Sequence, residues 1–267
     1  MLKDITLGQY YQTESKIHKL DPRVKIVATL LFIISLFVAD NFTGYVIAAA
    51  FLTLEIRMSH VPLKFIMRGM KTIFFLLLIT VVFNLFLTPG TALVHFWKLT
   101  ITMEGLKLAT MMAVRLVFLI LGSSVMTLTT TPNHLTDGLE SLMNPLKKLH
   151  VPVHEISMMM SIALRFIPIL LEETDKIMKA QMARGADFES GSVIRRAKNL
   201  VPLLVPLFIS AFRRANDLAM AMEARCYRGG EGRTKMKPLI YRKRDAVAYL
   251  TVLGYMVLMV VFGKILF

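Results

Sequence analysis

Apolar residues run along this chain in blocks, separated by short polar stretches rich in lysine and arginine. Val24 to Ala39 is the first block, and Asp21-Pro22 ahead of it reads as a helix N-cap followed by a proline in the first turn. Asp40-Asn41 ends it. Phe42 to Ile56 is the second block, and it returns to Arg57, Lys64, Arg68 and Lys71. Both blocks fall short of the ~20 residues that a bilayer crossing takes, so tilting or extension by flanking polar residues is expected. Thr72 to Leu87 is the third, stopped by the turn signal Thr88-Pro89-Gly90. Ala92 to Thr102 alternates instead, with Trp97 beside His95 and Phe96, and predicts an external interfacial hairpin or loop. Leu106 to Thr129 is the fourth and clearest span.

Thr131-Pro132 then starts a polar helix, with Asp137 and Glu140 early and Lys147-Lys148 late, as a helix dipole favours. Asn144-Pro145 and Val151-Pro152 punctuate the chain. Glu155 to Leu171 is dense in apolar residues, but Pro168 is expected to interrupt it and Glu172-Glu173 closes it. Leu200 to Phe212 is apolar but short, and holds Pro202 and Pro206. Each segment turns amphipathic towards its end. Both read as long helices along the cytoplasmic face, with apolar first halves at the membrane and polar ends projecting downward. A basic loop from Gly229-Gly230 to Pro238 follows, and Arg242-Lys243-Arg244 anchors a last span, Ala246 to Phe262, that leaves the C-terminus outside. The expected fold is all-α: a polytopic integral membrane protein with about five spans and long helices along the cytoplasmic face between the fourth and fifth. Its segments are residues 1–130 with four spans, 131–243 with the long cytoplasmic helices, and 244–267 with the final span.

Composition agrees. The 267 residues are 55% hydrophobic, with a mean hydropathy of +0.58. A net charge of +14 raises nucleic acid as a partner, yet the basic residues sit at the ends of apolar runs and form no aromatic-interleaved patch. Nucleic-acid binding is set aside on that ground. Lys3, Lys16, Lys19, Arg23 and Lys25 place the N-terminus in the cytoplasm, and the loop charges agree at each crossing. The Asp40-Asn41 loop has no basic residue, the Arg57 to Lys71 loop has four, and the Trp97 loop has at most Lys98 and Lys107. No cleavable secretion signal is apparent in the polar stretch Met1 to Leu20. A single cysteine, Cys226, rules out an internal disulfide framework.

Catalytic motifs are scarce. Gly263-Lys264 lacks the loop that would make it a P-loop. His150 and His154, followed by Glu155, superficially suggest a metal pair, but Pro152 lies between them and no third ligand is evident. A membrane enzyme built on them would carry stoichiometric metal; a helix-start loop is the plainer reading. No nucleophile is paired with a convincing base. Arg115, inside the fourth span, is a functional candidate because a charge there is costly. A snorkelling arginine, or one tied to a neighbouring helix, explains it more simply. Of 19 methionines, Met158-Met159-Met160, Met178, Met182, Met220 and Met222 fall in one region. They are either core filling or an adaptable apolar surface.

The most specific signal is a repeat. The first long segment ends Ala180-Gln181-Met182-Ala183-Arg184-Gly185, and the second ends Ala221-Met222-Glu223-Ala224-Arg225-Cys226, an offset of 41 residues from 184 to 225. The paired alanines share one helical face, and the arginine sits at the carbonyl end, where a cation is favoured. Gly185 supplies the left-handed residue that commonly stops a helix. One such end is ordinary helix capping. Two point to a double docking device, because a guanidinium fork binds carboxylate at two points.

Arg165-Phe166-Ile167-Pro168, Gln181-Met182-Ala183-Arg184-Gly185 and Glu223-Ala224-Arg225-Cys226-Tyr227-Arg228-Gly229-Gly230 closely resemble the signatures of one family. It is the transmembrane T component of energy-coupling-factor transporters, of the kind shared among several substrate-binding S components. The likeness runs in detail from about Thr131 to Arg244 and covers the rest in layout. It implies a non-catalytic scaffold in a bacterial plasma membrane, without ATP or metal of its own. Two ABC-type ATPase subunits would bind ATP and magnesium, and an interchangeable S component would bind a vitamin or other micronutrient. The resemblance implies ATPase docking by Ala183, Arg184, Gly185, Ala224, Arg225 and Cys226. It implies an S-component surface that includes Met158, Met159, Ile162, Phe166, Leu203 and Leu207. Cys226 departs from the glycine frequent after the second arginine, so the second helix is expected to run on towards Gly229-Gly230, with unequal ATPase contacts. The alternative from another class is a self-sufficient secondary carrier with Arg115 in its pathway and inverted repeats among its spans, which are not seen.

Overall fold

A computed structural model of the chain describes residues 10–39, 41–96, 99–188, 192–230, 232, 234 and 236–262. Lys3, Asp40, Trp97, Lys98, Gly263 and Lys264 lie outside the described residues. The helices are α1 (Pro22–Val38), α2 (Phe42–Ser59), α3 (Leu63–Leu87), α4 (Met103–Thr129), α5 (Pro132–Met143), α6 (Val153–Ala183), α7 (Val193–Ala224) and α8 (Lys243–Val260). A short hairpin, β1 (Ala92–Phe96) and β2 (Leu99–Thr102), joins α3 to α4, where the alternating sequence predicted a hairpin or loop. Packing divides the chain into two compact units, one of Gly8–Leu142 with Leu239–Phe267 and the other containing Met143–Pro238.

In the first unit the N-terminal signals act as read. Asp21 accepts the Arg23 backbone N–H at 2.9 Å, and Pro22 opens α1. The Thr131 hydroxyl accepts the His134 N–H at 3.3 Å ahead of α5. One device was missed: Asp245, buried at the start of α8, accepts the Arg242 N–H at 2.8 Å and the Asp21 N–H at 2.9 Å. One carboxylate thus ties the beginnings of α1 and α8 together. An acidic residue three past an N-cap is a recognisable signal, masked here by the basic run around it.

The core of this unit gathers Phe32 and Leu36 of α1, Tyr45, Ala48 and Leu52 of α2, and Tyr255 and Met259 of α8. Lipid tails are as apolar as these side chains, so close packing and hydrogen bonds must hold spanning helices together. Both are present. The Ser35 and Tyr255 hydroxyls lie 2.6 Å apart, and a Cβ at Gly122 of α4 would stand 2.7 Å from the Phe32 ring. Outward faces are apolar: Phe74, Phe75 and Phe83 of α3 are 62%, 72% and 58% exposed, a pattern that suits a lipid surround.

Arg115 takes the structural role. Its guanidinium donates to the Tyr45 hydroxyl at 3.1 Å and to the Ala39 carbonyl at 3.3 Å, and lies 5.3 Å from the Phe37 ring centre. It therefore satisfies the end of α1 and links α4 to α2, which removes the need for a transport role.

Among the described residues, three helices are long and apolar enough to cross a bilayer: α2, α4 and α6, with Ile73–Leu87 of α3 a shorter apolar stretch. The inclusion of α6 follows from a correction to the reading of Pro168. The proline lies inside one continuous helix of 31 residues and does not interrupt it. Membrane-associated helices tolerate proline where neighbouring groups satisfy the freed backbone. Pro202 and Pro206 likewise lie inside one continuous helix of 32 residues.

Candidate functional site

The second unit is built on the crossing of α6 and α7. Arg214 of α7 donates to Glu173 of α6 at 3.3 Å. A second link arises from the prolines. Pro206 has no N–H, which leaves the carbonyl four residues earlier, on Pro202, without its helical partner. Gln181 of α6 supplies the missing donor, its Nε2 lying 3.2 Å from the Pro202 oxygen.

Both helices end in the same hydrogen-bond pattern. At the end of α6 the Gly185 N–H donates to the Met182 carbonyl at 2.9 Å, and the Ala186 N–H to the Gln181 carbonyl at 3.0 Å. At the end of α7 the Cys226 N–H donates to the Glu223 carbonyl at 2.8 Å, and the Tyr227 N–H to the Met222 carbonyl at 3.0 Å. Each pair is a Schellman closure, which requires a left-handed residue just past the helix. Gly185 has φ 87°, and Cys226 has φ 57°. The expectation that α7 continues towards Gly229-Gly230 is thereby corrected. The helix stops at Ala224, because two backbone hydrogen bonds and the chain reversal outweigh the ~1–2 kcal/mol of placing a side chain in the left-handed region. The asymmetry argued from Cys226 loses its geometric basis.

Ala183, Arg184 and Gly185 are all exposed, as are Ala224, Arg225 and Cys226. Ala180 and Ala221, one turn earlier on the same faces, are exposed as well. Neither Arg184 nor Arg225 has an ion pair or side-chain hydrogen bond among the described residues, so each guanidinium is free to meet an outside acid.

The residues expected to face an S component divide. Met159 is exposed, while Met158, Ile162, Phe166 and Leu207 are half-buried. Leu203 is buried, 6% exposed, and presents no surface in this structure. Apolar exposure on α7 lies on another stripe: Val201, Leu204 with Val205, Phe208 and Phe212, recurring about once per helical turn. The rings of Phe208 and Phe212 are 5.3 Å apart at its end. Counting from the apolar run alone could not decide which side of an almost wholly apolar segment would pack against α6.

The histidines assemble nothing comparable. Among the described residues no group of three His, Cys, Asp or Glu side chains is placed to hold a metal ion. His150 adopts a left-handed turn with φ 61°, and the His154 ring packs against Gly230, where a Cβ would come within 2.5 Å.

A family profile described as CbiQ, cobalt transport protein, matches residues 13–236. The chain is similar to the energy-coupling factor transporter transmembrane protein EcfT of Clostridium kluyveri, 58% identical over 255 residues, with 95% of this chain and 94% of that protein covered. It is 51% identical over 266 residues to the protein of the same description in Heliobacterium modesticaldum, with 100% of each chain covered. The Bacillus subtilis protein of that description is 48% identical over 246 residues, covering 92% of this chain and 93% of its own.

Proposed function

The chain belongs to the CbiQ family as a transmembrane component of energy-coupling-factor transporters, and we propose that its α6 and α7 carry the stroke of two ABC-type ATPases to a substrate-binding S component. The observation that carries this reading is the pair of identically closed helix ends, each presenting an exposed, unpaired arginine beside exposed alanines. The alanine faces let an ATPase surface approach closely, and Arg184 and Arg225 each enter an acidic groove on one ATPase subunit. The ATPases hold ATP and magnesium; this chain contributes no catalytic group.

Arg184 and Arg225 each lie eleven residues past the Glu173–Arg214 contact, ~16 Å along a helix at 1.5 Å per residue. Closure of the ATPase pair on ATP draws the two tips together. Helices of this length transmit the displacement past the crossing to their apolar halves. There the exposed stripe of α7, with Met159 and its neighbours on α6, supports the S component within the plasma membrane. Movement of that support tips the S component and releases its vitamin or other micronutrient inside the cell. The N-terminus lies on the ATPase side.

Co-purification with the two ATPases tests this. Arg184→Glu or Arg225→Glu removes one partner of a desolvated ion pair and is expected to weaken docking by ~2–5 kcal/mol. Together they are expected to abolish recovery of the ATPases while leaving the chain folded in the membrane. Unchanged recovery with the double variant overturns the assignment.

A further inference from the structure

The first unit holds a cavity of about 580 Å³ between α1, α2 and α8, within the size range of small-molecule sites. Its walls are largely apolar, from Ala28 of α1, Phe51 and Leu54 of α2, and Val247 of α8, with Thr251 also lining it, its hydroxyl turned to the Val247 carbonyl at 2.8 Å. Leu54 and Val247 are 50% and 66% exposed, so the cavity opens towards the surroundings of the helices. Four cations also line it, Lys16, Lys19, Lys25 and Arg244, against one carboxylate, Glu55.

The state of those cations identifies the occupant. Lys19 is paired with Glu14 at 2.7 Å. Lys25 is buried, and its ammonium donates to two carbonyls, Thr129 at 2.8 Å and His18 at 3.3 Å, while the carboxylates of Asp21 and Asp245 act on it only through space. Lys16 and Arg244 are exposed and have no ion pair or side-chain hydrogen bond among the described residues. Positive charge is thus left over beside an apolar slot that opens sideways. A free anion would find no use for the slot, and a neutral lipid none for the charge. We propose that this cavity is a binding site for an anionic phospholipid, the headgroup phosphate held by Lys16, Lys25 and Arg244 and an acyl chain lying between α1, α2 and α8. Basic pockets at the cytoplasmic ends of spanning helices suit such lipids, because anionic headgroups are enriched in that leaflet. The site is independent of the arginine tips.

Native mass spectrometry of the full chain, delipidated and then titrated with phosphatidylglycerol or phosphatidylcholine of matched acyl chains, tests the proposal. One phosphatidylglycerol is expected to be retained with a preference on the order of tenfold, as about one to two extra cation contacts would give. Lys16→Gln with Arg244→Gln is expected to erase that preference. Thr251→Trp, at an exposed lining position, is expected to weaken retention of both lipids, and circular dichroism checks that each variant keeps its helix content. Equal retention of the two lipids by the unaltered chain overturns the proposal, as does a preference that survives the double variant. Displacement of phosphatidylglycerol by millimolar inorganic phosphate would mark a free-anion site instead. Loss of a co-purifying polypeptide in Thr251→Trp with lipid retention unchanged would mark a protein occupant.

Discussion

Glu173 and Arg214, joined at 3.3 Å where α6 meets α7, are equivalent positions of the repeat, since they stand 41 residues apart, as do Arg184 and Arg225. At this point of the crossing a position of the repeat touches its own counterpart. The two tips are therefore equally far along the chain from the contact.

This pair is partly exposed, so its own contribution to stability is modest, ~0.2–1 kcal/mol. Its value lies in register. Arg214→Glu is expected to place two like charges at the crossing and to lower transport by the assembled complex. Adding Glu173→Arg is expected to restore it, and a double-mutant cycle on solute uptake measures the coupling. Additive losses would show that the contact does not set the crossing.

Gln181 offers a second handle on the same crossing. Gln181→Leu leaves the Pro202 carbonyl without a donor, at an expected cost of ~1 kcal/mol for one neutral hydrogen bond at a partly exposed site. Thermal unfolding of the purified chain is the measurement. Replacing Pro206 by alanine in the Gln181→Leu background returns the helical N–H and is expected to recover most of the loss.

Cys226 is strained where Gly185 is not. Cys226→Gly is expected to stabilise the end of α7 by ~0.5–1 kcal/mol, the relief of the left-handed side chain less the added freedom of glycine in the unfolded chain. Hydrogen exchange of the Cys226 and Tyr227 amides should slow correspondingly. Faster exchange would mean that the left-handed turn is not populated in solution.

His18 carries the clearest pH dependence outside the spanning helices. Burial pushes its imidazole below the usual histidine range, against the opposing effect of the Tyr11 carbonyl, which accepts from Nε2 at 3.0 Å. Nδ1 lies 2.7 Å from the Ser15 hydroxyl, which donates to it in the neutral ring. With the folded value lowered, the unfolded chain binds more protons, so the contribution of His18 is complete above ~6.5 and lost as pH falls below that. Melting temperatures at pH 7.5 and 5.5 are expected to differ more for the unaltered chain than for His18→Gln.

Much of the fold could be read from the sequence because its signals are local. Asp21-Pro22 and Thr131-Pro132 start helices where side-chain oxygens can cap them, and the alternating stretch after Gly90 forms a hairpin. The two arginine ends stand exposed at the offset that the repeated residues set. The failures have different causes, some in a partner on another helix and some in backbone closure that residue type alone does not announce. Pro168 and Pro206 look like helix breaks but lie inside continuous helices, and at Pro206 Gln181 of α6 replaces the donor that the proline removes. Cys226 looks like a poor stop until two backbone hydrogen bonds hold it there. Leu203 faces inward although its apolar neighbours do not, and α3 begins at Leu63, well before its uninterrupted apolar run, because Lys64, Arg68 and Lys71 are carried on its first turns.

The lone thiol of the chain projects into solvent directly beside Arg225. A nitroxide attached there, with no other sulfhydryl to compete for the reagent, would tumble freely on the isolated subunit and become immobilised once a motor domain closed over it. If the docking proposed above holds, the residue that departs from glycine is a built-in reporter of engagement, readable by spin-label spectroscopy.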